Sequence, residues 1–211
     1  MSKARSATTA WRRRYGREHV SEQQTQAARL RAIVRATPWC MQMLQAVAQL
    51  GLPHCCIGAG AVRKLVWDAL HGYVQPSVLS DVDVVYFDAD DLLAESEVRL
   101  RQRLETVLPG MPWEVCNQAR VHLWFEDEFG YVVPPLLSLE DAIASWPEFA
   151  TAVGIWLQPD GEIGIVAPHG LDDLFAMVVR RNPARISEGG YAQRLVSKDY
   201  AARWPRVTII A

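Results

Sequence analysis

Between residues 55 and 72 the chain changes its repeat within three residues, and few folds accommodate such a switch. Cys55-Cys56-Ile57 is an apolar run of the length of a short buried strand, and Gly58-Ala59-Gly60 interrupts it. Val62, Leu65, Val66, Ala69 and Leu70 then recur at the i, i+3, i+4, i+7, i+8 spacing of a helix that Gly72 ends. A strand turning straight into a helix aims the helix's free N–H groups and positive dipole end at the sheet edge, where glycines let an anion approach closely. The same glycines serve equally well as a tight strand-to-helix turn without a ligand.

The second informative stretch is Asp81-Val82-Asp83-Val84-Val85-Tyr86-Phe87-Asp88, whose valines and aromatics mark a strand. Side chains two apart on a strand share a face, so Asp81 and Asp83 project together. Paired carboxylates repel unless a cation joins them, and hard divalent ions such as Mg²⁺ are commonly held by one or two carboxylates plus substrate phosphates. An isolated acid-x-acid pair is also an ordinary feature of an exposed edge strand. Glu114, on an expected strand over Trp113–Asn117, supplies a third acid if that strand neighbours the first.

Around these elements the pattern gives a helix from Pro38 to Ala48 with Thr37 as N-cap, a long helix from Asp90 to Leu108, and a helix start at Ser138 with Asp141 three residues on. Gln118–Trp124 is ambiguous, and residues 126–135 read as a surface loop. A hairpin spans Thr151–Leu157 and Glu162–Val166, and two helices, Leu171–Arg180 and Tyr191–Arg203, finish the chain. The class is α/β (α+β), a mixed sheet of about five strands with flanking helices, with residues 1–20 a flexible basic arm and 21–211 one domain.

Composition limits the rest. Half of the 211 residues are hydrophobic and the net charge is only −2, which excludes a disordered polyelectrolyte. No apolar run reaches the roughly 18 residues of a membrane span, and no secretory signal is evident, so a cytoplasmic location is expected. Cys40, Cys55, Cys56 and Cys116 lack zinc-site spacing and read as reduced core thiols.

Ile57-Gly58-Ala59-Gly60-Ala61-Val62-Arg63, followed by Ser80-Asp81-Val82-Asp83-Val84, resembles the polymerase-β-type nucleotidyltransferase superfamily, most closely the head domain of CCA-adding enzymes. The segments Trp113–His122 and Ala167–Phe175 resemble a bacterial branch of that superfamily, and the likeness runs from about residue 37 to about residue 205. The resemblance implies a polymerase-β-like palm in which Asp81, Asp83 and Glu114 are catalytic and hold two Mg²⁺ (or Mn²⁺) ions. It also implies that Gly58, Ala59 and Gly60, with Ser80, frame the triphosphate of an NTP, and that a nucleoside monophosphate passes to a hydroxyl acceptor. Arg63 and Arg120 are candidate phosphate contacts. Lys64 has Asp68 four residues on and fits an ordinary helix pair as well as a phosphate contact. His122 reads more readily as a core histidine than as a base, and Trp67 or Trp124 could stack a nucleobase.

Two departures stand out: Ala59 splits the glycine doublet, and about 17 residues separate Arg63 from Asp81, longer than in the CCA-adding pattern. The resemblance stops short of the domains with which CCA-adding enzymes hold tRNA, so a nucleic-acid acceptor is not favoured. The main rival is a dinucleotide-binding oxidoreductase, since Gly58-x-Gly60 joins a strand to a helix ahead of an acid-ended strand. That fold needs a small residue where Arg63 stands. A catalytically silent nucleotide-binding or interaction domain remains the alternative from another class.

Overall fold

The computed structural model describes residue 22 and residues 24–210. The basic arm expected over residues 1–20 lies outside the described residues. The first element, α1 (residues 24–35), is a helix missing from the sequence reading above. Leu30 and Val34 are fully buried along it, with Ala27 and Ile33 packed beside them. Helix α2 spans Pro38–Ala48 as expected, but the Thr37 hydroxyl does not cap it. It donates back to the carbonyl of Ile33 at 2.8 Å and so closes α1 instead.

Strand β1 (Cys55–Gly58) leads directly into α3 (Ala59–His71), which Gly72 ends with φ of 69°. Strand β2 covers Val82–Tyr86 and β3 covers Trp113–Asn117, with α4 (Ala94–Val107) between them. Helix α4 starts four residues later than the expected Asp90. Asp88 accepts the N–H of Asp90 and Asp91, and Asp91 accepts that of Leu93, so local carboxylates offer these amides partners outside a helix. The ambiguous stretch is a 3₁₀ turn over Gln118–Leu123, and part of the expected loop is α5 (Phe125–Phe129). At α6 (Leu139–Ala144), Ser138 accepts the N–H of Asp141 at 3.0 Å while Asp141 accepts that of Leu137, a reciprocal cap in the expected place.

A second 3₁₀ turn at Phe149–Thr151 precedes the hairpin β4 (Gly154–Leu157) and β5 (Ile163–Val166). The expected helix over Leu171–Arg180 is only α7 (Asp172–Ala176). Met177 turns left-handed at φ of 56°, and β6 (Val178–Arg180) pairs in parallel with β7 (Thr208–Ile210). The β-branched pair Val178-Val179 favours that strand. The last expected helix is likewise divided at Asp199, φ of 39°, into α8 (Glu188–Lys198) and α9 (Tyr200–Arg203).

The main sheet has the order β3-β2-β1-β4-β5, parallel between β2 and β3 and antiparallel elsewhere. This matches the mixed five-strand sheet read from the sequence. It excludes the dinucleotide-binding rival, which requires β1 and β2 to run parallel. Ile57, Val82, Val84, Tyr86 and Trp113 face the main core shared with α1 to α4. Cys56 and Val85 face the other way, onto Ile143 and Ala152, while Phe87 and Cys116 meet Val121, Phe125, Val133 and Leu136. Asp81 and Asp83 belong by alternation to this second face. All four cysteines are reduced, and burial pushes the thiols of Cys40, Cys55 and Cys116 up to about 12, which keeps them unreactive.

The two glycines of the bend differ in what they exclude. A Cβ at Gly58 would stand 2.5 Å from the Trp146 ring, whereas one at Gly60 would meet Asp81 Oδ1 at an ordinary 3.6 Å. Gly58→Ala is therefore expected to cost about 1–3 kcal/mol in urea unfolding, whereas Gly60→Ala, within α3, is neutral or stabilising by up to about 1 kcal/mol.

Candidate active site

The parallel register between β2 and β3 sets Asp83 directly opposite Glu114. Partners in register point to the same side of a sheet, so Asp81, Asp83 and Glu114 share one face, with Gly60 alongside Asp81. Asp83 is half-buried and Glu114 exposed. Burial, then the charges of Asp81 and Glu114, push the Asp83 carboxyl from its ordinary 3.8 up to about 6.

All three acids line a cleft of about 1660 Å³. Ala59, Gly60, Arg63, Lys64 and Ser80 line it too, as do Arg194 and Lys198 from α8. The cations converge on Asp81: Lys64 Nζ lies 3.8 Å from Oδ1 and Lys198 Nζ 4.0 Å from Oδ2. Lys64 also donates to the Ser80 hydroxyl, which donates to Asp81 Oδ1. The helix pair expected of Lys64 is absent because Asp68 instead accepts from Ser77 and Trp204.

Arg63 and Arg120 take other positions than phosphate contacts would. Arg120 is not among the residues lining the cleft; it donates to Glu97 at 2.8 Å and to the carbonyl of Leu92. Arg63 lines the cleft but is only 3% exposed, enclosed by the rings of Tyr200, Trp67 and Trp204 at 4.7, 5.3 and 5.7 Å. Its Nη1 is 3.8 Å from Glu148, and its Nε and Nη1 find no hydrogen-bond partner among the described residues. Glu148 is 1% exposed and accepts from Arg194 Nε at 2.7 Å and from the Tyr200 hydroxyl at 2.6 Å. Burial alone would raise its carboxyl, but Arg194, Tyr200 and Arg63 more than offset this and hold it below the usual range. Glu148 thus fastens Arg194 where α8 borders the cleft. Trp67, fully buried and donating to the carbonyl of Leu174, cannot stack a base, whereas Trp124 lines the cleft. His122 is half-buried and lies outside the cleft lining, and its Nδ1 finds no hydrogen-bond partner among the described residues.

Arg194, Lys198 and Glu148 are the site residues the sequence reading missed. Arg194 and Lys198 stand four apart on one helix face, a signal visible in the sequence; Glu148 left none, since its partners come from distant segments.

Oxygen donors of this kind suit a hard dication. As they stand, however, no three His, Cys, Asp or Glu side chains among the described residues are grouped closely enough to hold a metal ion. Both oxygens of Asp81 are engaged by lysines instead.

A mixed sheet with an acid-x-acid strand beside a glycine bend and basic helices defines the fold of a nucleotidyltransferase head domain. Residues 45–209 match the family described as Nucleotidyltransferase, and the chain belongs to that family. A solved protein whose NMR structure is described as revealing a CCA-adding enzyme head domain is similar, with a TM-score of 0.73 and 27% identity. The match covers 86% of this chain and 94% of that one. No curated protein matches the sequence. No helix among the described residues is long and apolar enough to cross a membrane.

Two outcomes follow from the charges. Because the native state holds the Asp83 proton up to about pH 6 and the unfolded chain releases it near 3.8, the native state binds more protons in that window and stability falls as pH rises through it. Asp83→Asn is therefore expected to stabilise the protein at pH 8, by on the order of 2 kcal/mol in urea unfolding, with the gain gone below pH 4. Glu148→Gln leaves two buried or half-buried arginines uncompensated and is expected to cost about 3–5 kcal/mol in the same measurement.

Proposed function

We propose that the chain transfers a nucleoside monophosphate from an NTP to a hydroxyl acceptor, with Asp81, Asp83 and Glu114 as the metal-holding acids. The observation that carries this reading is that three acids share one sheet face beside an array of cations, with Asp83 directly opposite Glu114. Such an arrangement lowers stability, as the upward push on Asp83 indicates, and gains its use only when a dication and an anionic substrate occupy it. Bound Mg²⁺ or Mn²⁺ would lower the pKa of the acceptor hydroxyl and neutralise charge on the departing pyrophosphate.

The protein's own groups supply the rest. Lys64 and Lys198 are within reach of Asp81 and Arg194 lines the same cleft, so they would bind the β- and γ-phosphates once these displace the lysines from Asp81. Ser80 and the backbone at Gly60, where α3 begins, would orient the triphosphate further. Arg63 acts from behind as a fixed positive charge held by Glu148 and the aromatic box. Positioning and charge compensation of this kind account for catalysis without a covalent enzyme intermediate.

Incubation with labelled NTPs, Mg²⁺ and a cell extract is expected to label an acceptor, and Asp81→Ala or Asp83→Ala to abolish the label. Lys198→Ala is expected to raise the KM for the NTP about tenfold while changing kcat less. Labelling that persists in both acid variants would move the site elsewhere, and tight NAD binding indifferent to Mg²⁺ would defeat the transferase reading.

A further inference from the structure

The cleft is divided along the strands. At the Asp81 end stand Lys64 and Lys198; then come Asp83 and Glu114; about 7 Å further on the same face come Val85 and Cys116. Beyond these the cleft is walled by Trp124, Phe125, Phe129, Tyr131 and Leu136, with Phe87 and Cys116 beneath. The rings form one cluster: Phe125 lies 4.4 Å from Phe129, 5.3 Å from Tyr131 and 6.2 Å from Trp124. Phe129 is nevertheless 54% exposed.

Helix α5 at this end carries charge of the opposite sign. Glu128 lines the cleft, and Glu126 and Asp127 precede it on α5. Arg185 also lines this end: it lies over the Phe125 ring at 5.5 Å and its Nη2 donates to the carbonyl of Pro134, while its Nη1 finds no hydrogen-bond partner among the described residues. At about 1660 Å³ the cleft exceeds the roughly 300–1,000 Å³ of a single small-molecule site, so it has room for two substrates.

In-line displacement at the α-phosphorus puts the attacking oxygen opposite the departing pyrophosphate. Pyrophosphate belongs with the cations at Asp81, so the acceptor enters from the aromatic end. We propose that this acceptor is a small unphosphorylated molecule with an aromatic or apolar body that presents one hydroxyl. Its body packs on Phe129, Trp124 and Tyr131, and the acidic α5 repels a phosphorylated competitor. This inference rests on the transfer reading above. The acceptor oxygen forms a bond to the α-phosphorus and the bond from that phosphorus to the α,β-bridging oxygen breaks. Pyrophosphate leaves with the bonding electrons, and the hydroxyl proton passes to water.

The test uses the full chain and 4-methylumbelliferone, a neutral aromatic hydroxyl compound at pH 6.5, titrated by its fluorescence with and without Mg²⁺ and a non-hydrolysable ATP analogue. The analogue's own binding is followed by calorimetry. Expected results are saturable binding of the phenol alongside the analogue, an affinity at least tenfold weaker in Phe129→Ala, unchanged analogue binding in that variant, and no displacement by a short oligoribonucleotide. Phenol affinity within twofold of wild type in Phe129→Ala, or displacement by the oligoribonucleotide or by the analogue's base, overturns the inference while leaving nucleotide transfer standing. Absent analogue binding with phenol binding still dependent on Phe129 overturns the transfer reading and the acceptor role together.

Discussion

Glu148 holds together the part of the molecule that the cleft depends on. Its carboxylate is almost wholly shielded from water, yet it takes hydrogen bonds from Arg194 on α8 and Tyr200 on α9 and lies beside Arg63 on α3. An ion desolvated to this degree is tolerable only with several partners in good geometry, so the carboxylate fixes where those three helices meet. The main sheet alone supplies the acids; the positive half of the cleft exists because α8 is tied down through Glu148. Two arginines against one glutamate leave this knot positive, and that surplus faces the carboxylates of β2 and β3.

The acids carry the complementary cost. Nothing in the pairing of β2 with β3 requires a charge at Asp83 or Glu114, and valine at both positions would suit a half-buried strand better. Direct opposition of like charges across a parallel pair is unfavourable, and the desolvated member responds by holding its proton at a higher pH. Lys64 and Lys198 relieve part of the repulsion through Asp81. On the proposed reading these lysines would exchange a carboxylate of the protein for an incoming polyphosphate.

Much of the frame was legible in the sequence because it is local. The switch at Gly58-Ala59-Gly60, the strand after Ser80, the Ser138–Asp141 cap and the hairpin turn at 158–161 each depend on residues close together in the chain. Asp83 beside Glu114 was legible only conditionally, because strand adjacency is a non-local fact. The errors arise where side-chain or strand contacts override the local period, between near neighbours at α4 and between distant segments elsewhere. Asp88 and Asp91 delay α4 by bonding to nearby amides, Met177 leaves helix α7 for a strand that pairs with residues 208–210, and Arg120 is drawn off by Glu97. Arg63 fits the pattern of a phosphate-binding helix start, but the rings of Tyr200 and Trp204, from one distant segment, and of Trp67 on its own helix enclose it. The aromatic wall was hidden for the same reason: residues 121–136 show no single period, and their rings gather only when α5 folds over Cys116 and Phe87.

The split glycine pair has a packing explanation. Gly58 adopts an extended conformation that any residue can take, so its requirement is steric: the Trp146 ring occupies the space of a side chain. The residue that bends is Ala59, left-handed at φ of 50°, a conformation costing about 1–2 kcal/mol for a residue with a Cβ. Its N–H donates to Val153 at 3.2 Å, so the strained residue is anchored to the chain just before β4. Trp146 and Val153 flank Glu148 in sequence, and the segment that demands Gly58 also carries the carboxylate that holds Arg194. Bend, cation and acid strand are thereby set by one stretch of chain packed on one sheet face, and the bend can depart from two consecutive glycines because strain at Ala59 is offset by that packing.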